Sequence, residues 1–160
     1  MFSGGLDSSL IAAIVSEVLD PSLSVDLINV SFAPSTSADR ITAIFSFHDI
    51  IKLFPNRKLQ MLCADYSIDK VLAKENEDFI GKLIYPKSTH MDFNIACALH
   101  YASKCEGFLL DTSFYDSEAF TELQAMLNVE AKGDQSSYDF GLVTNKIKEI
   151  DPNLYYAKNA

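Results

Sequence analysis

Seven residues near the start of the chain, Ser3-Gly4-Gly5-Leu6-Asp7-Ser8-Ser9, combine the residue types that hold a phosphate group. Gly4 and Gly5 carry no Cβ, so the backbone can turn sharply there and approach a ligand closely. Ser3, Ser8 and Ser9 supply small hydroxyl donors. Asp7 offers a helix cap, or oxygens for a divalent cation. Behind this stretch Leu10, Ile11, Ile14, Val15, Val18 and Leu19 recur at helical spacing, and Pro21 stops the helix. A glycine-rich turn that opens a helix aims backbone N–H groups at an anion, with the positive end of the helix dipole behind them. The expectation is a phosphate or pyrophosphate cradle; the plainer alternative is a turn followed by an N-cap.

Two common phosphate-binding patterns are excluded. The Walker loop needs four residues between its glycines and a closing Lys-Ser/Thr, and the first lysine here is Lys52. The dinucleotide pattern G-x-G-x-x-G is absent as well. The stretch "SGGLDSS" instead resembles the pyrophosphate loop of the ATP pyrophosphatases, which split ATP into AMP and pyrophosphate to activate an acceptor. That group includes asparagine synthetase, GMP synthetase, NAD synthetase, argininosuccinate synthetase and tRNA-thiolating enzymes.

Composition narrows the field. A chain of 160 residues has the size of one domain, and 48% hydrophobic residues exclude a disordered one. No apolar run approaches the roughly 18 residues of a membrane span, and no basic segment precedes the first apolar run as in a signal peptide. A net charge of −9 sets the chain against a nucleic-acid backbone, which counts against the tRNA-thiolating branch. Cys63, Cys97 and Cys105 form no C-x-x-C pair and read as buried thiols of a cytoplasmic protein. His48, His90 and His100 have no metal-ligand spacing and read as structural.

The elements that must position the loop alternate. A helix is expected over residues 8–19, then a strand over 25–32 whose continuous apolar run suggests burial on both faces. "APSTSAD" is loop, and residues 40–54 form a helix with Ile41, Ile44, Phe45, His48 and Ile51 on one stripe. A second strand covers 58–65. Ser67 caps a third helix that runs to Ile84, with Ile68, Val71, Leu72, Phe79, Ile80 and Leu83 as its apolar face. Asp92 caps the next helix, whose apolar line is Ile95, Ala98, Leu99 and Ala102, and Gly107 ends it as a C-cap. A short strand follows near 107–111. Alternation of this kind predicts a parallel α/β sheet with right-handed crossovers, which binds ligands at the carboxyl ends of its strands. Asp111, Asp116 and Glu118 read as loop acids and a helix start capped by Ser117. "VEAKGDQSSYD" is a polar linker, and "FGLVTNKIKEI" a last short helix. The expected organisation is one domain over 1–128, and a linker, helix and tail over 129–160.

Within the pyrophosphatase group the chain resembles the asparagine synthetase-like branch, from Ser3 to about Leu110. The strand end "NVSFA" is similar to that family's Ser-Phe followed by a small residue, beyond which the backbone approaches adenine; the resemblance therefore implies Phe32, Ala33 and Pro34. "ADRITA", with Asp39 and Arg40, and "STHMDFNIACALHYASK" match in order. The implied fold is that of the adenine-nucleotide α-hydrolase-like (PP-loop) proteins, incomplete at both ends. The implied chemistry is attack of the aspartate side chain on ATP to give β-aspartyl-AMP, pyrophosphate release, and displacement by ammonia. Ser3, Gly4, Gly5, Leu6, Asp7, Ser8 and Ser9 would hold ATP or pyrophosphate, Asp7 would hold magnesium, and aspartate would be the second substrate.

Beyond the strand "GFLLD" the family's second loop, Ser-Gly-x-Gly-x-Asp-Glu, does not follow, and only Met1 and Phe2 precede the first. The expectation is a truncated domain without its first strand, its second acid loop or its glutamine-hydrolysing partner. A nucleotide-binding remnant without activity and a GMP- or NAD-synthetase relative are the alternatives.

Overall fold

The computed structural model describes residues 1–32, 37–110, 112–130 and 155–157. In chain order these are α1 (Leu6–Val18), β1 (Val25–Ser31), α2 (Ala38–Leu53), β2 (Leu59–Asp65), α3 (Ile68–Val71), α4 (Lys74–Ile84), α5 (His90–Ser103) and β3 (Glu106–Leu110). A 3-10 turn over Thr112–Asp116, α6 (Glu118–Glu130) and β4 (Tyr155–Ala157) complete them. The expected linker begins later than residue 129, since Val129 and Glu130 belong to α6; its remainder, the expected last helix and Asp111 lie outside the described residues.

The class is α/β, but the sheet is mixed. Its order is β1-β2-β3-β4. β1 and β2 are parallel, in register Val25↔Leu59 to Ser31↔Asp65. β3 runs antiparallel to β2, with Met61 opposite Leu110, which corrects the all-parallel expectation; β4 runs antiparallel to β3. The reason is the number of crossing helices. One helix returns a chain to the starting end of the sheet and gives a parallel neighbour. Between β2 and β3 there are two substantial helices, α4 and α5, which pack on each other. The chain therefore re-enters the sheet at the end it left.

Several local expectations change as well. α2 begins at Ala38 because the Ser37 hydroxyl accepts the N–H of Arg40. The single helix expected over 67–84 is α3 and α4; Ser67 caps the first, and the Asn76 side chain donates to the Lys70 carbonyl at the break (2.6 Å). Thr89, not Asp92, is the N-cap of α5, and Asp92 supplies the carboxylate of a reciprocal capping pair. Gly107 is not a C-cap. Cys105 takes the left-handed conformation after α5 (φ 51°). Gly107 lies inside β3, where a Cβ would stand 2.3 Å from the Cys63 carbonyl oxygen.

The main core lies between the sheet, α2 and α6, around Ile44, Phe47, Met61, Phe108, Phe114 and Phe120. A second cluster joins Tyr66, Val71, Ile80, Cys97 and Tyr101 on the α4–α5 side. β1 is not buried on both faces: Val25, Leu27, Asn29 and Ser31 are buried, while Asp26 is exposed and Ile28 and Val30 are intermediate. The apolar stripe expected on α1 is split: Val15 and Leu19 pack against the core, and the rest does not. Small residues, Ala12 and Ser16, turn inward, and Leu10, Ile11, Ile14 and Val18 are exposed. Ile68, Leu72, Phe79 and Leu83 are exposed as well, as are Ile95 and Leu99 of α5. His48 stacks on Tyr115 (4.4 Å, 14°), and His100 meets Phe79 and Tyr101 edge-on. Cys63 and Cys97 are buried thiols, whereas Cys105 is half-buried. No helix among the described residues is long and apolar enough to cross a membrane.

Candidate functional site

Phe2 brings the chain to the sheet. It is 1% exposed, and its N–H donates to the Ile28 carbonyl on edge strand β1 (2.7 Å). The Asn29 side-chain amide donates to the Phe2 carbonyl (2.9 Å). A single residue thus stands beside β1 where a further strand would lie, and the Ser3–Ser9 loop follows it.

The loop is seated on the first half of α2. Gly4 is buried with φ +79°, and a Cβ there would stand 2.3 Å from the backbone N and Cα of Ala43. Only glycine allows that approach and that dihedral together. The Gly4 carbonyl accepts two hydroxyls, from Ser46 of α2 (2.7 Å) and Ser9 (3.1 Å). Ser3, Gly5 and Ser8 close a small ring: the Gly5 N–H donates to Ser3 Oγ (3.4 Å), the two serine oxygens lie 3.1 Å apart, and the Ser8 hydroxyl donates to the Gly5 carbonyl (3.0 Å). The serine hydroxyls brace the turn in this conformation.

Gly5 is the N-cap of α1, and no side chain caps the helix. The first helical bond runs from the Ser9 N–H to the Gly5 carbonyl, so the N–H groups of Leu6, Asp7 and Ser8 have no partner within the helix. Ser3, Gly5, Leu6 and Asp7 are exposed, and Ser8 and Ser9 are half-buried. The result is an accessible group of amide donors at the positive end of a helix of 13 residues, on a turn that cannot easily move. Asp7 lies in the first turn of that helix.

Phe32, just past β1, is half-buried and packs edge-on against Tyr101 (5.7 Å, 74°). Ala33 and Pro34 lie outside the described residues. Asp116 is exposed, and its charge supports the basicity of His48 on α2. Burial against the rings nevertheless holds His48 below the usual histidine range. No group of three or more His, Cys, Asp and Glu that could hold a metal exists among the described residues.

Three residues that the sequence did not mark support the site. Asn29 and Asp65 belong to a buried polar chain through Arg40 (below), and Ser46 holds Gly4. A polar residue inside the apolar run "VDLINVSF" was the visible sign for Asn29; Ser46 gave none.

Comparison with known proteins finds three relatives. Over 122 residues the chain is 36% identical to an asparagine synthetase domain-containing protein of Saccharomyces cerevisiae, covering 68% of this chain and 23% of that protein. It is 29% identical over 115 residues to an asparagine synthetase domain-containing protein of Drosophila melanogaster (66% and 20%). It is 25% identical over 151 residues to asparagine synthetase domain-containing protein 1 of Gallus gallus (68% and 24%). The chain therefore spans between a fifth and a quarter of the length of these relatives. No protein-family profile matches it, and no solved structure does. Over about two thirds of its own length the chain is thus related to asparagine synthetase domain-containing proteins.

Proposed function

We propose that this relative of the asparagine synthetase domain-containing proteins binds the phosphates of ATP, or pyrophosphate, at Ser3–Ser9. The observation that carries the reading is the uncapped start of α1 directly behind a glycine turn fixed on α2. Leu6, Asp7 and Ser8 would offer backbone N–H groups to phosphate oxygens, and Ser3, Ser8 and Ser9 their hydroxyls after reorientation. Phe32 and the backbone of Ala33 and Pro34 would lie toward the adenine. Asp7 suits magnesium in the usual way for a nucleotide-bound ion, which takes one or two carboxylates and completes its shell with phosphate oxygens and water. When bound, the ion neutralises charge on the departing pyrophosphate.

The name of the relatives supports amide formation on aspartate as the chemistry of the complete site, with aspartate as acceptor. Three free thiols support a cytoplasmic setting, and the net charge of −9 supports a partner other than nucleic acid. A second reading, nucleotide binding without turnover, is favoured by the lack, among the described residues, of a group of three or more His, Cys, Asp and Glu that could hold a metal with Asp7.

Calorimetric titration of the folded chain with magnesium and ATP tests the binding. Saturable binding weakened by Asp7→Ala is the expected result. A folded sample that takes up neither ATP nor pyrophosphate overturns the proposal.

A further inference from the structure

Arg40 is 1% exposed, close to the start of α2, and it is the charged residue buried deepest among those described. A guanidinium in that position is costly unless it is paired and hydrogen-bonded. Its Nη2 meets the Asp65 carboxylate at the end of β2 (2.8 Å). Its Nε donates to Asn29 Oδ1 in the middle of β1. Nη2 also lies 3.5 Å from the carbonyls of Asn29 and Ala64, and the guanidinium carbon stands 5.7 Å from the centre of the Phe108 ring. Nη1 is buried with no hydrogen-bond partner.

The consequence falls on Asn29. Because Arg40 only donates, Asn29 must turn its oxygen toward it, which leaves the amide nitrogen facing the Phe2 carbonyl. That contact holds the last peptide before Ser3. We infer that Arg40, fixed by Asp65, is a positioning residue for the phosphate loop and acts through Asn29. The chain Asp65–Arg40–Asn29–Phe2 sets the start of the turn, and the Ala43 and Ser46 contacts set its middle. Both supports issue from α2, so α2 and the loop behave as one rigid piece. The inference deepens the proposed phosphate site and rests on it for affinity; the loop order it also specifies is measurable without any ligand.

Asn29→Asp separates the two halves of the chain. A carboxylate still accepts from Arg40, and adds charge pairing, but it cannot donate to the Phe2 carbonyl. The expected result is a folded protein in which the amides of residues 3–9 exchange with solvent about threefold to tenfold faster, while those of β2 are unchanged. Affinity for magnesium and ATP falls by a similar factor. Arg40→Lys, which keeps the charge beside Asp65 but loses the Nε contact, should do the same. Combined with Asn29→Asp, it should add nothing further to loop exchange. Loop exchange unchanged in Asn29→Asp, or effects that simply add in the double variant, overturns the inference. If Arg40→Lys does not fold, the single Asn29→Asp measurement still decides. If the parent chain binds no ATP, the phosphate reading fails, and the exchange data judge the positioning role alone.

Discussion

The position a Gly4 Cβ would occupy lies 2.3 Å from the backbone of Ala43, inside α2 rather than beside it. Neither side can yield cheaply, because helix backbone is held by its own hydrogen bonds, and φ +79° is independently unfavourable for an L side chain. Gly4→Ala should therefore destabilise the fold by about 2–4 kcal/mol, combining backbone strain with overpacking. Urea unfolding of the two proteins measures it. A difference below about 0.5 kcal/mol, the scatter of an ordinary surface change, would mean that the loop is not seated on α2.

Much of this arrangement was legible locally. Two glycines, an aspartate and three serines before an apolar helix announce a tight turn that opens a helix, and Ser67 and Ser117 are caps as their positions suggest. What failed was non-local. The periodicity of α1 located an apolar stripe of which only Val15 and Leu19 reach the core, while small Ala12 and Ser16 take the buried positions beside them. Gly107 resembled a helix stop because the requirement that places it, the carbonyl of Cys63, lies on another strand. The reversal of β3 follows from a pair of helices that was visible in the sequence but read as part of a simple alternation. The Asn29–Arg40–Asp65 chain joins three segments 11 and 25 residues apart from Arg40, beyond the reach of any spacing rule.

Asp7→Ala should act differently from Gly4→Ala. Asp7 is exposed and lies in the first turn of α1, so its removal costs stability only the 0.3–1 kcal/mol or so of a charge near a helix dipole. Affinity for ATP in the presence of magnesium should fall about tenfold, the effect of one lost charge-assisted contact. Affinity measured with a chelator present should barely change. Equal losses with and without magnesium would remove Asp7 from the metal.

Stability should decline in mild acid. His48 and His100 are both held below the usual histidine range, chiefly by burial, with Lys52 and Lys104 adding to it. The unfolded chain binds protons near pH 6.5, where the folded chain still resists them. Proton uptake therefore favours unfolding, and stability present above that pH is lost as pH falls below it. Asp20 is held low mainly by Ser22, so its contribution is lost only as pH falls below about its ordinary 3.8. Urea midpoints between pH 7.5 and 5.5 should fall, and His48→Phe, which keeps a ring against Tyr115, should flatten the slope. A midpoint independent of pH over that range would contradict the assignment.

The chain of 160 residues should not by itself make asparagine from aspartate, ammonium and ATP at a useful rate. Pyrophosphate departure needs its magnesium held firmly, and stabilisation of that charge is commonly worth several kcal/mol. Among the described residues Asp7 belongs to no group of three or more His, Cys, Asp and Glu that could hold a metal. Added ammonium supplies the nucleophile without any glutamine-hydrolysing step, so it removes one requirement and leaves the electrostatic one. The measurement is pyrophosphate release with aspartate and ammonium at millimolar ATP and magnesium. Binding without release is the expected pattern. Turnover within about tenfold of the roughly 10 s⁻¹ of a typical enzyme, abolished by Asp7→Ala, would show instead that one carboxylate and the amides of α1 suffice to hold the leaving group.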